Sequence, residues 1–153
     1  MRSMSTTLLA FLICIGAAAL EGVLTGSGVR QRLAALRMPQ YSPPFPLWLL
    51  IGVAYYTICF IVLRQLLAGS FTLPLVLLVL VLLANAFWSI LFFRWRDLRA
   101  SFIAFIPYAA LVAALVLSLV RSYPFGAVLF LCYGAYLLYA TWWGYRLWLL
   151  NTQ

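Results

Sequence analysis

Apolar residues come in five long runs along the chain: Thr6 to about Gly26, Leu47 to Ala68, Leu73 to Phe93, Ala100 to Val120, and Phe125 to about Leu150. Each is long enough to cross a bilayer as a helix, which takes roughly 20 residues. Period-two alternation is absent from all five, which argues against a transmembrane barrel, and no internal repeat is visible. The pattern predicts an all-α membrane protein folded as a single bundle of five transmembrane helices. Its breaks are short. Gly69-Ser70 separates the second and third runs, Arg94 to Arg99 the third and fourth, and Arg121-Ser-Tyr-Pro124 the fourth and fifth. Pro74 falls in the first turn of its helix, where a missing N–H costs little, whereas Pro107 lies inside the fourth run. The longest non-apolar stretch, 27–46, carries Arg30, Arg32, Arg37 and four of the seven prolines.

Composition narrows the reading further. Of 153 residues, 67% are hydrophobic and 8% charged, with a mean hydropathy of +1.10; a soluble domain is about half apolar and about a quarter charged. Five spans leave no room for a separate soluble domain. Ten Arg and no Lys stand against two acids, Glu21 and Asp97, and there is no His. A serine-type triad, a carboxylate pair and an ordinary zinc site are therefore unavailable, and no metal site is expected. The three Cys sit in apolar runs, where Cys acts as a small hydrophobe, and form no disulfide framework.

The arginines lie at the ends of the apolar runs, so topology explains them better than nucleic-acid binding. With five spans, 27–46, 94–99 and the C-terminal end share one side and carry seven Arg; the other side has Arg2, Arg64 and Arg121. The positive-inside rule then puts the C-terminus in the cytosol and the N-terminus outside. Arg2 is discordant. It fits a rival reading in which residues 1–19 are a signal peptide cut after Ala17-Ala18-Ala19, but the apolar run continues through Val23 and Leu24, which favours a helix.

A few polar and aromatic residues could carry chemistry. Asn85 sits midway along the third run, with Trp88 and Ser89 on the same face at i+3 and i+4. An amide at that depth either joins two helices or lines a cavity and meets a ligand. Tyr133, Tyr136, Ala140 and Trp143 repeat along one side of the fifth run, and the second offers Trp48, Tyr55 and Tyr56 around Gly52. Rings near helix ends form interfacial belts, while the deeper phenols of Tyr56, Tyr133 and Tyr136 need partners. Together these faces suit a pocket for a flat, largely apolar ligand. Glu21 is the one acid inside a span; a salt bridge to Arg30, Arg37 or Arg146 is the plainer expectation, a functional carboxylate the sharper one. Gly22 and Gly26 have the GxxxG spacing of close helix pairs, and Arg121, Tyr123 and Val128 fit a weak cholesterol pattern.

From the first helix to the end, the chain resembles the TspO/MBR family of tryptophan-rich sensory and translocator proteins. Asn85-Ala-Phe-Trp88-Ser89-Ile-Leu-Phe92-Phe93 is the closest motif. Met38-Pro39-Gln-Tyr41-Ser-Pro43-Pro44 resembles the hallmark loop, and Tyr133-Gly-Ala-Tyr136 with Ala140 resembles the fifth-helix motif. The departures include Tyr41 for the loop Trp, Gly52 for a second-helix Trp, and Cys132 and Tyr136 for the fifth-helix Pro and Trp. The family's C-terminal sterol motif is not met, because Tyr145 and Arg146 are adjacent.

The resemblance implies a pocket lined by the second, third and fifth helices, with 27–46 as its lid. By position the ligand-binding residues would be Tyr41, Trp48, Tyr56, Asn85, Trp88, Tyr133, Tyr136 and Ala140. Arg30, Arg32 or Arg37 in the lid would meet a ligand's propionates. Family members bind protoporphyrin IX, and some bind haem or sterols; no cofactor is obligatory, and many form homodimers. Lacking His, this chain suits a metal-free porphyrin better than haem. The expected function is tetrapyrrole sensing, transport or disposal. Light-dependent porphyrin degradation and a sterol-handling or purely structural role in contact with membrane lipids stand as alternatives.

Overall fold

The computed structural model describes the backbone of residues 2–152 and the side chains of 4–152, so the side chain of Arg2 lies outside the described residues. It is all-helical, with five helices or helix pairs long and apolar enough to span a membrane. The first span is α1 (Arg2–Thr25) and the second α3 (Phe45–Gly69), with the short α2 (Val29–Ala34) between them. The third joins α4 (Thr72–Ser89) to a π-helical turn (Ile90–Arg94). The fourth joins α5 (Leu98–Ile103) to α6 (Phe105–Ser122), and α7 (Pro124–Leu150) is the fifth. Packed neighbours trace a ring: α3 lies beside α1, α1 beside α4, α4 beside α6, α6 beside α7, and α7 returns to α3.

Local chemistry sets the breaks. Gly26 (φ 75°) ends α1 in the left-handed conformation, its N–H donating to the Gly22 carbonyl at 3.1 Å. Glycine takes this conformation without the backbone strain that a Cβ brings. The second glycine of the GxxxG pair is thus a helix terminator. Pro107 has no N–H for the Ile103 carbonyl and its ring crowds that oxygen; the fourth span breaks three residues earlier, between α5 and α6. Asp97 starts α5 as its N-cap, accepting from the Ala100 N–H at 2.8 Å. In the π-helical turn the Trp95 N–H donates to the Ile90 carbonyl at 2.9 Å, and the extra residue re-aims the side chains on either side.

The second half of the 27–46 stretch is tied to α7. The Arg37 N–H donates to Asn151 Oδ1 at 3.0 Å, and Asn151 Nδ2 donates back to the Arg37 carbonyl at 3.1 Å. Tyr139 Oη donates to the Tyr41 carbonyl at 2.9 Å, and Trp143 Nε1 to Ser42 Oγ at 2.8 Å.

Candidate functional site

Near the 27–46 end, the ring of helices stands around a cavity of about 480 Å³. All five spans contribute. Ala18, Glu21 and Gly22 come from α1, Trp48, Gly52, Tyr55 and Tyr56 from α3, and Asn85, Trp88 and Ser89 from α4. Phe105 and Tyr108 come from the fourth span, and Tyr133, Tyr136, Ala140 and Trp143 from α7. Glycine and alanine supply the room: an added Cβ at Gly22 or Gly52 would meet no atom within 4 Å.

Much of the wall is aromatic. Trp88 stacks on Phe92 with centroids 5.0 Å apart and tilts against Phe105 at 5.5 Å. Trp48 meets Trp143 edge-on at 5.0 Å, and Tyr55 and Tyr136 flank Tyr133 at 5.1 and 5.9 Å. Offset and edge contacts of this kind are favourable beyond their area and hold rings in fixed directions. Hydrogen bonds add to the fixing. Trp88 Nε1 donates to the Ser101 carbonyl at 3.1 Å, and the Tyr108 and Tyr133 hydroxyls share a bond at 2.8 Å. The buried Tyr55 hydroxyl has no hydrogen-bond partner among the described residues.

One polar cluster interrupts this wall. Glu21 Oε2 accepts from Tyr56 Oη at 2.6 Å and from Asn85 Nδ2 at 3.0 Å. Glu21 Oε1 accepts from Ser89 Oγ at 2.9 Å. The helical spacing that puts Asn85 and Ser89 on one face of α4 aims both at the same carboxylate. The expected salt bridge is therefore corrected: among the described residues Glu21 meets no arginine. It lies inside the ring, on the face of α1 that turns toward α3 and α4, whereas Arg30, Arg37 and Arg146 are exposed.

Trp48, Tyr56, Asn85, Trp88, Tyr133, Tyr136 and Ala140 all come together on the cavity wall, and Glu21 joins them. Tyr41 does not. Its backbone is left-handed (φ 68°), its ring is 77% exposed, and only its carbonyl turns inward, to Tyr139. Arg30, Arg32 and Arg37 also lie off the wall. Arg30 sits 4.9 Å above the ring of Phe45, a residue of the cavity rim. Arg32 has a buried Nε without a partner among the described residues; partial burial first, and then the neighbouring charge of Arg96, lower its pKa. The fourth span contributes Phe105 and Tyr108, which the sequence reading passed over. The available signal was Tyr108 itself, a phenol inside an apolar run and hence in need of a partner.

A family model, that of the TspO/MBR family, matches residues 10–149. No curated protein matches the sequence.

Proposed function

The chain belongs to the TspO/MBR family and is an integral, multi-pass membrane protein; from that premise we propose that its central cavity binds a flat, largely apolar ligand, with a metal-free porphyrin the leading candidate. The observation that carries this reading is the cavity itself: about 480 Å³, walled by rings from the second to fifth spans and interrupted by a hydrogen-bonding cluster around Glu21 of the first. Small-molecule sites are mostly apolar hollows of about 300–1,000 Å³ with a few convergent polar groups. A macrocycle offers two faces for stacking on Trp and Tyr, and pyrrole N–H groups for an acceptor. Among the described residues the wall holds no His, Cys or Met, and its tyrosines are the less common ligands of haem iron, which favours the free base. Arg30, Arg32 and Arg37, on the 27–46 stretch beyond the wall, suit the propionates. The same arginine-rich end faces the cytosol in this reading, by the positive-inside rule, and the role is sensing, transport or disposal of tetrapyrrole.

The test is a protoporphyrin IX titration of the protein in nanodiscs, read as quenching of tryptophan fluorescence. Trp48, Trp88 and Trp143 all border the cavity, so bound porphyrin quenches strongly and saturably. Tyr136→Ala removes one stacking face and weakens binding by about tenfold, equivalent to roughly 1.4 kcal/mol. Quenching no greater than in empty nanodiscs plus free tryptophan overturns the reading.

A further inference from the structure

We propose that the cavity also takes ligands of a second class, apolar molecules carrying one protonated amine, with Glu21 as their counter-ion. This does not rest on the tetrapyrrole reading, because it depends on charge at one point and not on the shape of a macrocycle. Glu21 is the only acid among the spans; the other acid of the chain, Asp97, caps α5 outside the cavity. Intramembrane carboxylates are costly, and where they occur they face cavities and serve ligands, ions or counter-charges. Here no arginine among the described residues meets the carboxylate, and its three partners are neutral donors. They do not saturate it. A carboxylate accepts at about four positions, and among the described residues Oε1 receives only the Ser89 hydroxyl. The side chain is part-buried and borders the cavity, so an N–H from a ligand has an acceptor waiting.

The surroundings suit the rest of such a molecule. Tyr56 holds its ring beside the carboxylate by its own hydrogen bond, and Tyr55 packs edge-on against Tyr56 at 5.1 Å. Aromatic faces attract an ammonium that comes within about 6 Å of them, and the apolar remainder of the wall accommodates a hydrocarbon body. A metal ion is a poorer match, because no cluster of three His, Cys, Asp or Glu is formed among the described residues. The plainer role, a polar tie between α1, α3 and α4, would be kept by glutamine without a charge: its carbonyl oxygen accepts from Tyr56 and Asn85, and its amide N–H donates to the Ser89 hydroxyl. That difference is what an experiment reads.

The test uses full-length protein in phosphatidylcholine nanodiscs and three probes of one shape: naphthylmethylamine, naphthylmethanol and naphthylacetate. Equilibrium dialysis against empty nanodiscs removes the partition into lipid. The protonated amine binds at least about tenfold tighter than the alcohol, as a charged hydrogen-bond partner implies, and the acetate binds weakest. In Glu21→Gln the amine falls to the affinity of the alcohol. Equal binding of the three probes, a preference for alcohol or acetate, no binding of the amine, or an amine preference retained in Glu21→Gln each overturns the proposal. Should Glu21→Gln fail to fold, the order of the three probes on the unaltered protein still decides. The protoporphyrin titration is independent, so either reading can fail while the other stands.

Discussion

Toward the Ser70 and Tyr123 turns the bundle is filled by Val62, Leu63, Leu66, Leu78, Leu115, Leu119 and Phe130, all fully buried. Toward the arginine-bearing end, the same helices stand apart around Glu21, Asn85 and a wall of rings. The difference follows from side-chain shape. Branched aliphatic chains interdigitate at crystal-like density, and in a membrane such packing is what holds helices together. Rings with polar tips have one rigid plane and one obligatory partner, so they line a space more readily than they fill it. Gly22, Gly52 and Ala140 then leave that space empty. One half of the molecule is built for cohesion and the other for holding something.

The largest effect expected from breaking this division is in the filled half. Phe130→Ala deletes a fully buried ring among packed neighbours and costs about 3–5 kcal/mol, measured by denaturant-induced unfolding in micelles. Tyr136→Ala, whose ring borders the cavity, costs less than about 1 kcal/mol. Equal losses at the two sites would mean that the two halves are packed alike.

A pair of glycines sharpens the same contrast at smaller amplitude. A Cβ at Gly126 would lie 2.5 Å from Tyr123 Cδ1 and 3.1 Å from Val62 Cγ2, and Val62 is fully buried. Gly126→Ala therefore costs about 1–3 kcal/mol through overpacking. Gly52 lies on the cavity with nothing within 4 Å of its Cβ position, so Gly52→Ala gains about 0.5–1 kcal/mol of helix stability. Opposite signs in the unfolding midpoints are the expected result. The same sign at both positions contradicts the geometry.

Of this arrangement, the five spans were the easiest part to read in the sequence. Five apolar runs dictate five spans, and the turn at Gly69-Ser70 falls where expected, with Ser70 in the left-handed conformation that ends α3. The grouping of Asn85, Trp88 and Ser89 on one face was also legible, because helical periodicity fixes which residues of one helix point together. Periodicity says nothing about which helix stands opposite. The partner of Asn85 and Ser89 is Glu21, sixty-odd residues away on α1, and charge pairing suggested arginine instead. The exposed position of Tyr41 was hidden for a different reason: its backbone is left-handed and its ring lies outward, and nothing in a run of prolines and polar residues discloses that sign of φ. The π-helical turn at Ile90–Arg94 was equally hidden, since its residues read as ordinary helix.

The smallest effect concerns the boundary between the cavity and the 27–46 stretch. Asn151 bridges both backbone groups of Arg37 and also donates to the Leu147 carbonyl at 2.8 Å. The two bonds to Arg37 are exposed, so water replaces them readily, and Asn151→Ala costs only about 0.5–1.5 kcal/mol. Global unfolding barely registers a change of that size, but local opening does. Hydrogen exchange at the Arg37 amide should quicken by roughly tenfold, while amides of Val112 to Leu119 in the filled half keep their protection. Tyr139 and Trp143 still hold Tyr41 and Ser42 in the variant, so the loosening should stop short of residue 41. Exchange that quickens through residues 41 and 42 as well would show that Asn151 alone anchors the stretch, and that the contacts from Tyr139 and Trp143 follow it.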